Sequence, residues 1–430
     1  MTTPMSDREC LLGGISSHFR INPYTGAHLE VRRASGATIE TTDGRRYFDM
    51  FNAHGSTVLG HAHPDVIRAV REILDGGVVI GYETGLGEEV ARRITEIIPS
   101  AECVRFVATG SEAVHTAMRL CRAHTGRDIV FKIDGHFHGI SDYAQLNSKW
   151  FYTDVDNPGG RPSRIVRASQ GIPDAVADTI VPIPWNDLGA LEVALDQYKG
   201  RVAAVIMVPI DFNNGCITPA EGYLASAQDM VREAGAILIF DEILTGFKTG
   251  LGGAQELYGV TPDLTLLSKA VSSGVPLAAI AGRREVMSTF MKPLPHQGAL
   301  QGGTFAGNLM GLAAARATLA LLSDVEFYPT LTKHVSDFLS ELQAMFDRSP
   351  LPARVQWLGC MFGLYVGTRE PVQNYADIRS LDVELSRRFF TACIDEGVYF
   401  HTDFSVTAAH SPSILAEVLE RMERAATRAS

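Results

Sequence analysis

Three short segments of this 430-residue chain carry residue types that could do chemistry together. In chain order they are Thr109-Gly-Ser-Glu-Ala113, Phe240-Asp-Glu-Ile-Leu-Thr-Gly-Phe247 and the segment from Pro262 to Lys269. The first offers a glycine and hydroxyls that could hold a phosphate, the second a carboxylate for a ring nitrogen, and the third an amine that could form a Schiff base. Each needs a structural element that brings it to the other two.

The phosphate-type segment lies between an apolar stretch, Cys103–Ala108, and a stretch whose apolar residues recur at helical spacing. This pattern predicts a strand, a turn and a helix. The start of a helix offers free N–H groups and the positive end of the helix dipole, Gly110 permits close backbone approach, and Ser111 adds a hydroxyl. The alternative is a purely structural cap, in which Thr109 or Ser111 caps the helix and nothing binds.

Asp241 follows Ala236–Phe240, an apolar run typical of a buried strand. Ligands of open α/β sheets bind beyond the carboxyl ends of the strands, which is where Asp241 is expected. If the extended conformation continues, Asp241 and Ile243 share a face and could hold a charged heteroaromatic ring by its nitrogen and its surface. Alternatively, Asp241 only caps the helix that follows.

Lys269 follows the apolar run Leu264–Leu267 and precedes small residues. A lysine at a strand end can lose part of its hydration, which lowers its pKa and makes the amine available for Schiff-base formation. The alternative is a solvated surface lysine, as most lysines are. The combination with the other two segments favours the chemical interpretation.

The elements that must position these residues are those of an α/β protein, because apolar runs alternate with stretches of helical period. A mostly parallel central sheet is therefore predicted, with a smaller α+β domain near the end of the chain, where Ser411 and Pro412 are expected to begin a helix. The segment from Ser141 to Asp174 has no clear period and is predicted to be a long loop that gates the site. The predicted strands are Cys103–Ala108, Ile129–Ile133, Val202–Val208, Ala236–Phe240, Leu264–Leu267, Met361–Val366 and Gly397–Phe400.

Composition narrows the function classes. The chain has 38 Lys and Arg against 49 Asp and Glu, a net charge of −11, which argues against nucleic acid or an anionic membrane as a partner. Six cysteines without a CxxC pair indicate reduced thiols, and the histidine pairs 61/63 and 136/138 lack a third metal ligand, so neither disulfides nor a metal is expected. The charged first residues and the lack of a long apolar run predict a cytoplasmic protein.

The order of phosphate segment, Asp241 and Lys269 resembles that of pyridoxal-phosphate enzymes of the aspartate-aminotransferase fold, fold type I. The resemblance is to class III aminotransferases, in particular the glutamate-1-semialdehyde aminomutase-like branch, and covers about Ile39 to Tyr399. Beyond the three segments above, it is carried by Gly60-His-Ala-His-Pro64, Gly135-His-Phe-His-Gly139 and Gly303-Thr-Phe-Ala-Gly-Asn308.

The resemblance implies a cofactor, pyridoxal 5'-phosphate, bound as a Schiff base to Lys269, with Asp241 paired to the pyridine nitrogen. It also implies a homodimer with a shared active site, because Thr304 would reach the phosphate of the neighbouring subunit. Implied substrate contacts are Arg33, for a carboxylate, His54 and Trp150. Further implied cofactor contacts are Gly110 and Ser111 at the phosphate, Phe137 and Ile243 on the two ring faces, Asn213 near the ring hydroxyl, and His138.

The implied domain organisation is an N-terminal segment, residues 1–70, that packs with the small domain, a large cofactor-binding domain, residues 71–315, and the small α+β domain, residues 316–430. Several residues depart from the aminomutase pattern. Phe137 replaces the usual tyrosine, Val208-Pro209 replaces Glu-Pro, His54 stands in place of a tryptophan, and the segment after Tyr399 is shorter and lacks a glutamate. These differences indicate retained cofactor chemistry with a different substrate pocket.

The predicted function is therefore an aminotransferase that moves an amino group from an amino donor to a keto or aldehyde acceptor, through the pyridoxamine form of the cofactor, in specialised or β-amino-acid metabolism. The same cofactor residues would also serve a glutamate-1-semialdehyde 2,1-aminomutase-like isomerase or a racemase or epimerase. A non-catalytic binding module is a further alternative, opposed by the presence of both Lys269 and Asp241. A nicotinamide cofactor is rejected because Gly85-Leu-Gly-Glu-Glu-Val90 lacks the last glycine of a dinucleotide-binding motif.

Overall fold

A computed structural model of the protein describes residues 10–78, 81–149, 153–154, 157 and 159–430. Strands and helices alternate through most of this part of the chain, as the hydrophobic pattern predicts. The strands are β1 Val31–Ser35, β2 Thr38–Thr41, β3 Arg46–Asp49, β4 Cys103–Val107, β5 Ile129–Ile133, β6 Ile180–Ile183, β7 Val202–Met207, β8 Ile237–Asp241, β9 Leu264–Leu267, β10 Ala278–Gly282, β11 Ala353–Leu358, β12 Met361–Val366, β13 Val398–Tyr399 and β14 Phe404–Ser405. The helices are α1 Asn52–Gly55, α2 Pro64–Gly76, α3 Gly85–Ile97, α4 Gly110–Thr125, α5 Asp174–Ala177, α6 Leu188–Gln197, α7 Tyr223–Glu233, α8 Gly253–Tyr258, α9 Arg284–Met287, α10 Leu309–Leu322, α11 Phe327–Arg348, α12 Tyr375–Arg379, α13 Val383–Asp395 and α14 Pro412–Ala429.

The central sheet has seven strands in the order β4-β10-β9-β8-β7-β5-β6. Only β10 runs antiparallel to its neighbours β4 and β9, and the other pairs are parallel. Strands β5 to β10 are buried along their whole length, as expected for a sheet covered on both faces. The predicted α/β class with a mostly parallel central sheet is confirmed.

The turn between β4 and α4 follows from local sequence chemistry. The Thr109 hydroxyl accepts a hydrogen bond from the Glu112 amide at 3.2 Å, and the Glu112 carboxylate accepts one from the Thr109 amide at 3.0 Å. This reciprocal capping box starts the helix, and Gly126, in the left-handed conformation, ends it. The apolar face predicted for this helix is fully buried against the sheet: Val114, Ala117, Met118 and Cys121.

Two smaller sheets lie outside the central sheet, and the first of them combines strands from both ends of the chain. The first has the order β1-β2-β3-β13, in which β13 from the C-terminal part runs parallel to β3, and the second has the order β11-β12-β14. The last helix, α14, starts with Pro412, and the Ser411 hydroxyl accepts a hydrogen bond from the Ile414 amide at 3.3 Å, as the sequence predicts. The division into domains at residues 70 and 315 stays a prediction.

The described part of the segment from residue 141 to residue 173 has no regular helix or strand. It is tied to the rest of the fold by isolated bridges, one of which pairs Gly135 with Ser148. The loop predicted for this segment is thus observed in its described residues, while its role as a gate stays a prediction. Among the helices that the structure describes, none has the length and apolar character needed to cross a lipid bilayer.

Candidate functional site

A cavity of about 310 Å³ opens where the parallel strands β8 and β9 end. Asp241 is the last residue of β8, Lys269 lies two residues beyond β9, and Gly110 is the first residue of α4. The topology therefore brings together segments that are far apart in the chain. Eight of the predicted site residues line this one cavity: Gly110, Ser111, Phe137, His138, Asn213, Asp241, Ile243 and Lys269.

The first turn of α4 forms one end of the cavity. A Cβ atom added to Gly110 would lie 2.8 Å from Cδ1 of Ile243, so a side chain here would displace the end of the Ile243 side chain. The Ser111 hydroxyl also lines the cavity and accepts a hydrogen bond from the Ile140 amide at 3.2 Å. Thr109 does act as the helix cap, but the free N–H groups of the first turn and the Ser111 hydroxyl remain suited to a phosphate.

Asp241 is fixed by two hydrogen bonds. Its Oδ2 accepts from Nδ1 of His138 at 2.7 Å, and its Oδ1 accepts from the Ile243 amide at 3.1 Å. Burial lowers the pKa of His138, although the Asp241 carboxylate partly opposes this shift, so His138 is a neutral imidazole that donates one proton to the carboxylate. Asp241 is thus held as an oriented hydrogen-bond acceptor at the cavity wall.

Lys269 lies in the left-handed backbone region, with φ of 47°, at the start of a short 3-10 helix. A non-glycine residue in this region is strained, and such strain is common at functional sites. Burial lowers the pKa of Lys269, while the negative charges of Asp403 and Asp241 act in the opposite direction. The neutral, nucleophilic amine is therefore more accessible than in an ordinary lysine.

Asp403 is a site residue that the sequence analysis missed. Its Oδ2 accepts a hydrogen bond from Nδ1 of His54 at 3.0 Å, and its Oδ1 accepts one from the Asn213 amide group at 2.9 Å. Burial raises the pKa of Asp403, but the His54 hydrogen bond and the positive charge of Lys269 outweigh it, so the pKa lies well below its usual value. The carboxylate is therefore an anion whose charge acts on the amine of Lys269.

The backbone around Asp403 is unusual, but the sequence contains no signal that would have revealed this residue. Asp403 has a positive φ of 56°, and residues 52 to 54 on the facing segment also have positive φ values. The sequence shows only that the segment after Tyr399 is short and lacks a glutamate. The pairing of His54 with Asp403 depends on contact between residues 349 positions apart, which no local pattern encodes.

Two predicted residues that the structure describes, Arg33 and Thr304, do not line the cavity of their own chain. Arg33 is exposed on β1 and lines a surface depression with residues of α2, so its contact with a substrate carboxylate stays a prediction. Thr304 is exposed and lies outside the cavity of its own chain. Trp150 lies outside the described residues.

Comparisons with known proteins identify the family and the fold of the chain. The family model described as aminotransferase class-III matches residues 21–411. Among solved structures, an omega-transaminase from Sphaerobacter thermophilus is 26% identical with a TM-score of 0.88, covering 98% of this chain and 95% of that chain. A transaminase with PLP bound is 25% identical with a TM-score of 0.84, at 98% and 95% coverage. A glutamate-1-semialdehyde-aminomutase from Pseudomonas aeruginosa PAO1 has the same fold, with 24% identity, a TM-score of 0.86, and 97% and 92% coverage.

Proposed function

The chain belongs to the class III aminotransferase family of pyridoxal-phosphate enzymes, and from this we propose that it moves an amino group from an amine donor to a keto or aldehyde acceptor in two half-reactions at one site. The observation that carries the proposal is the convergence of Lys269, Asp241 and the first turn of α4 on one cavity. A nucleophilic amine, an oriented carboxylate and a phosphate-type helix start are the three groups that this cofactor requires.

The residues of the cavity fit pyridoxal phosphate. Gly110, at which a side chain would press against Ile243, and Ser111 would hold the phosphate at the start of α4. The fixed carboxylate of Asp241 would accept a hydrogen bond from the protonated ring nitrogen, while Phe137 and Ile243 offer flat and aliphatic surfaces for the two ring faces. Asn213 lines the same cavity and would lie beside the ring hydroxyl.

The protein residues have distinct chemical roles in this proposal. The bound cofactor supplies an electron sink for the charge left when a proton leaves the substrate α-carbon. Lys269 takes that proton, since burial favours its neutral form, and later returns one. Asp241 holds the proton on the ring nitrogen, and His138, a positioning residue, orients the Asp241 carboxylate through the 2.7 Å hydrogen bond.

The experiment is a donor screen on the purified holoenzyme without any acceptor. A transaminase loses the absorbance of the cofactor aldehyde form and releases about one keto product per site, which mass spectrometry identifies, because the amino group stays on the enzyme. Lys269→Ala is expected to abolish turnover and borohydride fixation of the cofactor. Recovery of only the inverted amine would instead indicate a racemase, and recovery of only the rearranged amine would indicate an aminomutase. A purified protein that binds no chromophore when pyridoxal phosphate is supplied would contradict the whole proposal.

We also propose that the active enzyme is a homodimer with a shared site. Thr304 is exposed in its own chain, beside the exposed ring of Phe305, so a neighbouring subunit is needed to place it at a phosphate. Sedimentation should give twice the chain mass of 46.6 kDa. Thr304→Val should weaken cofactor binding without changing the secondary structure seen by circular dichroism, and unchanged affinity would argue against the shared site.

A further inference from the structure

Lys149 is a charged residue near the site that the proposed mechanism does not use. Its ammonium nitrogen lies 5.5 Å from the ring centroid of Phe137, which lines the cofactor cavity, and 5.3 Å from that of Phe19. The two rings meet edge to face with their centroids 5.7 Å apart. Lys149 also lines a second cavity of about 320 Å³, which shares Asn213 with the first. The ammonium therefore lies where the two cavities adjoin.

The backbone just before Lys149 is firmly anchored. The Asn147 carbonyl accepts hydrogen bonds from the Gly135 amide at 2.8 Å and from Nζ of Lys132 at 2.9 Å, and its side chain bonds the Asp134 carboxylate at 3.0 Å. Lys149 itself has a φ of 62°, in the left-handed region that disfavours lysine. A strained conformation on an anchored segment indicates that the direction of this side chain is specified by its surroundings.

The charge of Lys149 lacks a close anionic partner. In the described part of the chain, its ammonium contacts the two aromatic rings, and no hydrogen bond or ion pair to it is observed. Two further buried lysines, Lys132 and Lys248, differ, because Lys132 donates to three carbonyl oxygens and Lys248 donates to the Thr57 carbonyl. Aromatic faces stabilise a cation but leave its three N–H donors free for a ligand.

Asp403 is an opposite charge that acts on Lys149. It interacts electrostatically with both Lys149 and Lys269, but its two oxygens are engaged by His54 and Asn213. Asp403 and Lys149 line the same second cavity. A negatively charged substrate group is therefore attracted by Lys149 and repelled by Asp403, which gives the bound substrate one favoured direction.

We propose that Lys149 binds the carboxylate of the substrate, so that the enzyme selects amino acids and keto acids over simple amines and ketones. This inference rests on the proposed aminotransferase function and names the substrate class of that site. It assigns to Lys149 the role that sequence resemblance gave to Arg33, which is exposed elsewhere. An ammonium and a carboxylate form a charge-assisted hydrogen bond, and Asp403 directs the carboxylate away from its own side of the cavity.

The first test uses pairs of donors that differ only in charge: alanine with alaninamide, and 3-aminobutanoate with 3-aminobutanamide. Single-turnover reactions of the holoenzyme give the rate and the apparent Kd of each. Lys149→Met should raise the apparent Kd of the carboxylate members about tenfold and leave the amide members within about twofold, since one charge-assisted bond is lost. Lys149→Arg should retain the preference, and Lys199→Met, at an exposed lysine, is the matched control.

The second test needs no amino transfer. Calorimetry of the holoenzyme with butanoate and with butanamide, neither of which has an amine, should show tighter binding of butanoate, and Lys149→Met and Lys149→Gln should both remove the difference. Equal binding of the two ligands by the wild type, or an unchanged difference in both variants, overturns the proposal even if amino transfer is established. A Lys149-dependent preference for butanoate without any donor conversion would support the anion site and count against the proposed function alone.

Discussion

Replacement of Asp403 by asparagine should lower the pKa of Lys269 in the protein without bound cofactor. Burial disfavours the protonated ammonium of Lys269, whereas the negative charge of Asp403 favours it. The amide side chain introduced by Asp403→Asn keeps the shape of the carboxylate and can still accept the hydrogen bond from Asn213, but it has no charge. The protonation equilibrium of Lys269 then moves further toward the neutral amine.

The size of the shift follows from Coulomb's law. Two unit charges about 4 to 8 Å apart interact by about 2–4 kcal/mol at an effective dielectric constant of about 20. One pKa unit corresponds to about 1.4 kcal/mol, so the full interaction amounts to about 1.5–3 units. Because the part-exposed Lys149 and His54 also screen Asp403, we expect a shift near the lower end, about 1.5 units downward.

The assay is the rate of pyridoxal-phosphate uptake by the cofactor-free protein as a function of pH. Only the neutral amine attacks the aldehyde, so the rate falls at low pH as Lys269 becomes protonated. In Asp403→Asn this fall should occur at a lower pH by about 1.5 units, whereas Asp229→Asn, at an exposed carboxylate, should leave it in place. The reasoning would be refuted if the midpoint of the rate–pH curve in Asp403→Asn were unchanged or moved to higher pH.

Three further variants test other parts of the site. Gly110→Ala should weaken cofactor affinity at least about tenfold in a fluorescence titration, because the new methyl group would collide with Ile243. Asp241→Asn should retain the cofactor but slow proton abstraction about 10- to 1,000-fold in single-turnover kinetics, which corresponds to about 1–3 pKa units lost at the ring nitrogen. Lys132→Met should destabilise the fold by about 3 kcal/mol in urea unfolding, since it removes the donor to three carbonyls including that of Asn147.

The cofactor half of the site could be predicted from the sequence because its residues occupy positions with local signals. Asp241 ends an apolar strand, Lys269 follows another, and Gly110 stands between a strand and a helical pattern. Parallel strands bring their carboxyl ends to one edge of a sheet, so periodicity predicts the place of each residue, and the family resemblance predicts that the three form one site. The capping box at Thr109 and the N-cap at Ser411 were predictable for the same reason.

The substrate half could not be predicted in this way. Asp403 lies in a short irregular segment and His54 in a turn with left-handed backbone, and their contact depends on how the two ends of the chain pack. Lys149 lies in a loop without periodicity, where it is anchored through its neighbour Asn147. Arg33 is the reverse case, because the family resemblance implied a substrate contact for a side chain that is exposed on β1.

The cofactor residues lie at strand ends and the proposed substrate residues lie on loops, and this difference explains how one fold can retain its cofactor while the substrate changes. Residues at the ends of β8 and β9 are held by the sheet, so changing them damages the cofactor site directly. Lys149 and Asp403 lie on loops beyond the sheet and line the second cavity, which adjoins the cofactor cavity, from two separate parts of the chain. A substitution at either position can reverse the charge that a substrate meets without moving Asp241 or Lys269. Substrate preference in this enzyme is therefore expected to follow the charges on these two loops rather than the motifs that identify its family.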